Sequence, residues 1–233
     1  MKPLKIFLAF MALSLFSNAK ANDFLSSEVP DELFNIGVRI GLNTSNRTFN
    51  KDFFRSWNTN SWGTGIDAGV VVNLNMRDFF ALQPGFFFES RSGNYSYSQE
   101  YLNGEGEKKD FTQMGHYRTH NFTIPVMASL RFNLSGDLRW VIEAGPYLQY
   151  TFKTSGNKNI QVIKPQENIY ETLNISTAKS NPFDFGLKIG TGVTFKRKYS
   201  LLVHYLAGGQ KAWKAPHAGG HNKAWTFCLG YDF

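Results

Sequence analysis

Cysteine is almost absent from this 233-residue chain, in which Cys228 is the single thiol. One cysteine excludes an internal disulfide and any cysteine-based metal cluster. Long apolar runs are also lacking beyond the first 21 residues, so no later segment is apolar enough to cross a bilayer as a helix. The chain has no G-x-S-x-G motif and no dense basic run interleaved with aromatic residues. These absences argue against a serine hydrolase and against nucleic-acid binding.

Residues 1–21 have the pattern of a secretory signal peptide. Two lysines near the start precede an apolar stretch over residues 6–16, and Ala19 and Ala21 supply small residues before a cleavage point. We expect cleavage after Ala21, and because the next residue is Asn22 rather than cysteine, no lipid anchor is expected. Losing the three lysines of this segment would lower the formal net charge from +7 to +4.

Eight later segments alternate apolar and polar residues with a period of two, as β-strands with one apolar face do. The segments are 34–43, 66–74, 80–89, 122–131, 140–149, 183–193, 199–206 and 224–233. The connections between them are alternately long (44–62, 90–118, 151–181, 207–222) and short (75–78, 133–137, 196–198). Outer-membrane barrels alternate short periplasmic turns with long external loops. The sequence therefore predicts an all-β fold, an eight-stranded antiparallel up-and-down transmembrane β-barrel over residues 34–233, preceded by a short periplasmic segment over residues 22–33.

The two faces of these segments indicate which one meets lipid. One face is bulky and aromatic, whereas the other is rich in glycine and carries isolated charges. The interior of an eight-stranded barrel has room for side chains only, which suits small residues and paired charges. We therefore expect the apolar face to point outward and a charge network to fill the lumen. Its expected members are Arg39, Asp67, Glu89, Arg131, Glu143, Asp184, Lys188 and His204.

The expected role of this network is structural, with Arg39, Arg131 and Lys188 paired to the carboxylates, because an unpaired buried charge is costly. A gated pore, in which ion pairs exchange partners, is the alternative. Aromatic residues at the strand ends are consistent with girdles at the two membrane surfaces. They are Trp62, Phe80, Trp140, Tyr150 and Trp225.

Three prolines, Pro84, Pro125 and Pro146, lie inside predicted strands. Proline removes a ladder hydrogen bond and is normally confined to edges and bulges. Because a closed barrel has no edge, we predict a local bulge at each of them.

The last predicted strand carries a continuous apolar and aromatic face. Its residues are Trp225, Phe227, Leu229, Tyr231 and Phe233. Outer-membrane barrels commonly end on such a strand, and we expect the barrel assembly machinery to read it as a signal.

Several motifs, in order along the chain, resemble the PorT-like outer-membrane β-barrel family of Bacteroidetes. Residues 81–86 (ALQPGF), 121–126 (NFTIPV) and 183–192 (FDFGLKIGTG) resemble three of its strands, and residues 205–209 (YLAGG) resemble its exit into the last loop. The resemblance covers residues 34–233. It implies an eight-stranded barrel with a mostly packed interior, and some relatives are implicated in protein secretion across the outer membrane and in gliding.

Histidines form two i,i+4 pairs in or beside predicted long loops, His116 with His120 and His217 with His221. Imidazole rings suit zinc or copper. This spacing brings two rings together only on a helix, however, and the composition of the loops argues against one. The sequence therefore predicts no metal site, no cofactor and no catalytic residue.

The sequence as a whole predicts a non-enzymatic, exported outer-membrane protein with a structural or surface-interaction role. Expected partners are outer-membrane lipids, the barrel assembly machinery and, through the long loops, another protein. Nucleic acid is not expected. An accessory role in protein secretion, a small porin-like pore and a lipid-modifying enzyme remain as alternatives.

Overall fold

The structure, a computed structural model, describes residues 24–48, 57–102, 106, 108–156, 159–164, 169–174, 181–210 and 221–233. The predicted signal peptide lies outside these residues. No helix in the described part of the chain is long and apolar enough to cross a membrane. The described strands are β1 (Phe34–Thr48), β2 (Trp57–Arg77), β3 (Phe80–Leu102), β4 (Lys108–Ser135), β5 (Leu138–Gly156), β6 (Asn159–Lys164), β7 (Ile169–Asn174), β8 (Phe183–Phe195), β9 (Tyr199–Gly208) and β10 (His221–Asp232).

Eight of these strands form one closed barrel, in the order β1-β10-β9-β8-β5-β4-β3-β2. All neighbouring pairs are antiparallel, and β10 closes the wall by pairing with β1, where Leu229 lies opposite Ile40. β6 and β7 form a separate two-stranded sheet. Each barrel strand overlaps one of the eight alternating segments, so the predicted fold class is confirmed.

Side-chain exposure alternates along the barrel strands. The outward residues Ile40, Phe185 and Leu229 are 65%, 57% and 61% exposed, whereas inward neighbours such as Arg39 and Cys228 are buried. Apolar groups therefore face outward and polar groups inward, as predicted. This is the reverse of a soluble β-barrel and the arrangement that a lipid environment requires.

The two ends of the barrel differ. At one end, called here the turn end, strands are joined by short connections at residues 78–79, 136–137 and 196–198. The opposite end, called here the extended end, has the long connections.

Most of the predicted long loop over residues 90–118 is strand: β3 and β4 remain paired until Leu102 lies opposite Lys108. Backbone hydrogen bonds can pair two strands even where their side chains do not alternate between apolar and polar. The alternation in the sequence therefore predicted strands that are shorter than the observed ones.

The predicted bulges at the strand prolines are wrong. Pro84, Pro125 and Pro146 each interrupt pairing with one neighbouring strand (β2, β3 and β4, respectively), and the same register resumes beyond the gap. A strand residue directs its N–H to only one neighbour, so proline removes one hydrogen bond without inserting a residue. Register shifts occur elsewhere, between Asn58/Ser61, Trp62/Ile66, Asn75/Arg77, His120/Asn121 and Asn133/Ser135.

Apolar side chains also contribute to the lumen. One buried cluster joins Val141, Leu202 and Cys228, and a second joins three further residues (Tyr147, Leu206 and Ala224). Each cluster joins β9 and β10 to β5, which lies on the other side of β8, so the clusters brace the wall from inside.

Candidate functional site

A buried polar cluster in the lumen is centred on Glu89 and Arg91, two residues apart on β3. Arg91 Nη2 forms an ion pair with Glu89 Oε2. Arg91 Nη1 also donates to Gln149 Oε1 at 2.7 Å, and Thr123 Oγ1 donates to Glu89 Oε2 at 2.7 Å. This cluster joins β3, β4 and β5, and Glu89 is completely buried. The guanidinium and the hydroxyl together compensate the desolvation of the carboxylate.

Asp67 on β2 is buried without a cationic partner at hydrogen-bond distance among the described residues. Its two oxygens accept hydrogen bonds from the Asn43 side chain and from Thr226 Oγ1, the latter at 2.9 Å. Asn43 Nδ2 also donates to the carbonyl oxygen of Ser90 at 2.9 Å. These contacts link β10, β1, β2 and β3 across the point where the barrel closes.

Asp184 on β8 lies near the extended end of the lumen and is held by neutral donors. Tyr147 Oη donates to Asp184 Oδ2 at 3.1 Å, and Asn222 Nδ2 donates to the same oxygen at 2.7 Å. Arg47 Nε in turn donates to Asn222 Oδ1 at 2.9 Å, and its guanidinium lies 4.8 Å from the centre of the Tyr117 ring. The amide therefore connects the arginine of β1 with the carboxylate of β8.

Nearer the turn end, Arg39 on β1 pairs with Asp232 on β10 at 2.8 Å. Asn73 Nδ2 donates to Asp232 Oδ1 at 3.1 Å, and Gln83 Nε2 donates to Asn73 Oδ1 at 2.5 Å. Arg131 bonds to amides rather than carboxylates, donating to the Oδ1 atoms of Asn75 and Asn73 at 2.8 and 3.3 Å.

His204 and Glu143 form the third buried contact between ionisable groups. His204 Nε2 lies 2.7 Å from Glu143 Oε2, and Ser129 Oγ donates to Glu143 Oε1 at 3.4 Å. The Lys188 Nζ atom lies 4.8 Å from the centre of the Phe87 ring, a cation–π distance. Both Ser129 and His204 hydrogen-bond to the Glu143 carboxylate, so the histidine is not placed to activate this serine as a nucleophile.

A further ion pair closes the turn end. Arg139 Nη2 donates to both carboxylate oxygens of Asp78, at 2.8 and 2.7 Å, and both side chains are buried. The pair joins β5 to the turn between β2 and β3.

The structure thus places the predicted network residues in the lumen, seven of them buried and Arg131 partly exposed. It joins them differently from the expected scheme. Among the described residues, the cations named in that scheme form no ion pair with its carboxylates. The sequence reasoning missed five charged contributors, Arg47, Asp78, Arg91, Arg139 and Asp232.

For all of these residues except Asp78, which lies in a turn, the signal was the alternation of inward and outward faces along the strand. Arg91 is on the same face as Glu89 but lay beyond the predicted end of its strand. Arg139 immediately precedes a predicted strand, and Asp232 was already on its inward face.

Three cavities in the described part of the lumen are small. A cavity of about 30 Å³ lies near the turn end and another of about 20 Å³ adjoins it, with Arg39, Glu143 and Leu202 in the walls of both. A third, of about 10 Å³, lies beside Arg47 and Tyr117 at the extended end. Each has room for about one to three water molecules. The described side chains therefore pack most of the lumen.

The described histidine pair, His116 and His120, is not arranged to share a metal ion. His116 and His120 lie on β4, where four residues span roughly 13 Å, too far for two rings to share a metal ion. His221 begins β10, and His217 lies outside the described residues. In the described part of the chain, no group of three or more histidine, cysteine, aspartate or glutamate residues is arranged to hold a metal ion.

A model of the outer membrane protein beta-barrel domain family matches residues 18–208. The chain belongs to this family. It is therefore an outer-membrane β-barrel protein, and its exposed apolar face is the surface that meets lipid. No curated protein matches the chain.

Solved structures with a similar fold include three bacterial proteins of low identity. The first is Ail, the attachment invasion locus protein of Yersinia pestis, in complex with the heparin analogue sucrose octasulfate, with 10% identity, 87% of this chain and 100% of that chain covered, and a TM-score of 0.41. The second is Neisserial surface protein A, with 10% identity, 87% of this chain and 100% of that chain covered, and a TM-score of 0.43. The third is the outer membrane protein OprG from Pseudomonas aeruginosa, with 11% identity, 91% of this chain and 98% of that chain covered, and a TM-score of 0.42.

Two bands of aromatic residues mark the boundaries of the lipid-facing surface of this outer-membrane barrel. Towards the extended end, ring centres are 4.8 Å apart for Tyr205 and Trp225 and 5.0 Å for Tyr150 and Phe183; towards the turn end, they are 5.4 Å apart for Phe132 and Trp140 and 5.3 Å for Tyr199 and Tyr231. Along β5, Trp140 and Tyr150 are roughly 33 Å apart, or about 25 Å at the usual strand tilt. The bands therefore match the height of an outer-membrane apolar belt.

Proposed function

We propose that this protein is a rigid membrane platform whose extended end forms an interaction surface outside the cell. The observation that carries the proposal is the continuation of β3 and β4 as a paired ribbon far beyond the outer aromatic band. From Phe88, which lies in that band, β3 runs on to Leu102, roughly 45 Å along the strand. Trp57 of β2 pairs with Tyr97 of β3, so a third strand joins the ribbon.

The direction of the barrel in the membrane is part of this proposal. Outer-membrane barrels have short turns on the periplasmic side and longer segments outside. The turn end of this barrel accordingly faces the periplasm, and the paired strands of the extended end face the surroundings. A paired ribbon presents side chains at fixed positions, which lowers the entropy cost of binding compared with an unstructured loop.

The packed lumen supports a platform rather than a pore. The three cavities found among the described residues hold only a few waters, and buried hydrogen-bonded charges occupy the space between them. We expect purified protein in planar bilayers to give no steady conductance. Stable channels whose conductance changes on an Arg39→Ala substitution in the lumen, but not on Lys196→Ala at the exposed turn, would favour the pore instead.

A shortened ribbon tests the surface role. Asn94 lies opposite His116, so residues 95–115 can be replaced by Asn-Gly, a two-residue turn that suits antiparallel strands. The shortened protein should reach the outer membrane in normal amount and keep its heat-dependent shift on a gel, because the lumen contacts described above lie outside the deleted segment. It should fail to restore the cell-surface property, such as aggregation or adhesion, that is lost on deleting the gene. Full restoration would contradict the proposal.

An accessory role in protein secretion is the second candidate, and the resemblance of residues 81–86, 121–126 and 183–192 to the PorT-like family supports it. In that case the barrel would copurify with a secretion complex, and deletion of the gene would reduce the amount of secreted protein. Unaltered secretion would remove this candidate. We propose no enzymatic activity, and lipid A of unchanged mass in the deletion strain is the expected result.

A further inference from the structure

Three basic side chains, Arg118, His120 and Lys153, lie together on the outward face of the barrel just beyond the outer aromatic band. We call them the basic patch. His120 on β4 is directly opposite Lys153 on β5, and Arg118 lies two residues further along β4 on the same face. Arg118 and Lys153 are exposed. The patch therefore points away from the lumen, towards the lipid that surrounds the barrel.

Aromatic rings form the floor of the basic patch. The Phe122 and Phe152 rings are stacked with their centres 4.7 Å apart, and the Phe88 ring is stacked on His120 at 6.0 Å. The His120 ring also lies 6.1 Å from Phe152. An amphipathic molecule on this surface would meet apolar rings below and cationic groups above.

A register shift in the wall creates this combination. Asn121 is opposite Thr151 but His120 is opposite Lys153, which leaves Phe152 as the extra residue of a β-bulge. Consecutive residues of a regular strand point to opposite faces. The bulge lets the neighbours Phe152 and Lys153 both lie outward, one in the aromatic floor and one in the basic patch.

No carboxylate balances this charge on the described outward surface. Beyond Phe88, the outward side chains that the structure describes on β3, β4 and β5 include no aspartate or glutamate. Glu89 lies close by in sequence but faces the lumen, where it is paired with Arg91. Among the described residues, neither Arg118 nor Lys153 forms an ion pair. The patch therefore has positive charge available for an anion.

We propose that the basic patch binds a phosphorylated glycolipid of the outer leaflet. Its phosphate group would contact Arg118 and Lys153, and its acyl chains would lie along Phe88, Phe122 and Phe152. The position fits this ligand, because headgroup phosphates lie just outside the apolar belt that the aromatic band borders. Arginine and lysine are the side chains best suited to phosphate. The inference rests on the proposed direction of the barrel, with the extended end outside.

Binding can be measured on the full-length protein, purified and folded in detergent, by native mass spectrometry with added lipid A. The variant Arg118→Gln/Lys153→Gln removes two charges from the patch, and Lys196→Gln/Lys198→Gln removes two exposed charges from the turn end as a matched control. Each basic residue near an anionic lipid surface contributes enough for a several-fold effect. We expect the ratio of lipid-bound to free protein to fall about tenfold or more in the patch variant and to stay unchanged in the control.

Dephosphorylated lipid A gives the second arm of the experiment. It should bind the unmodified protein about as weakly as phosphorylated lipid A binds the patch variant. Equal binding of both lipids, or equal loss in both double variants, would overturn the proposal.

A heat-dependent gel shift confirms that each variant is folded. Because the protein is in detergent, the result does not depend on the direction of the barrel in the cell, so failure of the lipid site and failure of the proposed orientation can be told apart.

Discussion

Arg91 and Asp232 complete the buried charge network of the lumen, and each was hidden from sequence reasoning for a different reason. Arg91 has the inward parity of Glu89, but the apolar alternation that outlines β3 fades before it because the strand leaves the lipid there. Asp232 was visible on the inward face of the last strand. Its partner Arg39 is 193 residues away in the chain, and the two meet only because β10 closes the barrel on β1. The sequence thus shows which residues are charged and which face of a strand they occupy. Their hydrogen-bond partners in the lumen depend on how the barrel closes.

Removal of Arg91 tests how much the buried pair matters. In Arg91→Met, Glu89 keeps its place but loses its cation, and breaking a buried pair in this way costs about 3–5 kcal/mol. The free energy of unfolding, measured by urea titration in lipid vesicles, should fall by that amount. The double variant Glu89→Gln/Arg91→Met leaves neither member of the pair charged and should recover most of the loss. If the double variant is as unstable as the single one, packing rather than charge compensation explains the role of Arg91.

At the scale of the strand, alternation predicted all eight barrel strands because lipid on one side and a narrow lumen on the other impose a strict period of two. It did not predict their full length. Between Ser90 and Arg118 the wall lies beyond the outer aromatic band, so apolar residues are no longer required on its outer face, and backbone hydrogen bonds alone continue the pairing. The paired strands β6 and β7 lie in another predicted loop, over residues 151–181.

The strand prolines allow a direct test of the explanation that each interrupts strand pairing only by removing one backbone hydrogen bond. Pro146 is exposed to lipid on β5 and interrupts pairing with β4 without a change of register. Pro146→Val restores an N–H at that position and should stabilise the barrel by about 0.5–1.5 kcal/mol, the net value of one hydrogen bond. Leu148→Val, on the same strand and face, changes no backbone donor and serves as the control in urea titrations. A clear loss of stability in Pro146→Val would mean that the barrel wall needs the proline for its curvature.

For the molecule as a whole, the packed lumen and the two unequal ends support one account. Polar contacts inside the lumen join the adjacent strands β1 and β10 and also link β2 to β10 and β3 to β5, each across one intervening strand, so the wall is braced from within as well as closed by hydrogen bonds. A braced wall can carry the paired ribbon of β3 and β4 at a fixed angle to the membrane. The order of short and long connections, visible in the sequence, indicates which end is outside; the ribbon itself required the structure.

The direction of the barrel is the claim on which the surface role and the lipid site both depend, and cysteine labelling on intact cells tests it most directly. Cys228 is buried and should not react, so an added thiol gives the signal. His116→Cys places an exposed thiol at the extended end, and Lys198→Cys places one at the turn end. We expect a membrane-impermeant maleimide to label His116→Cys on intact cells and Lys198→Cys only after the outer membrane is opened. The reverse pattern would contradict the account.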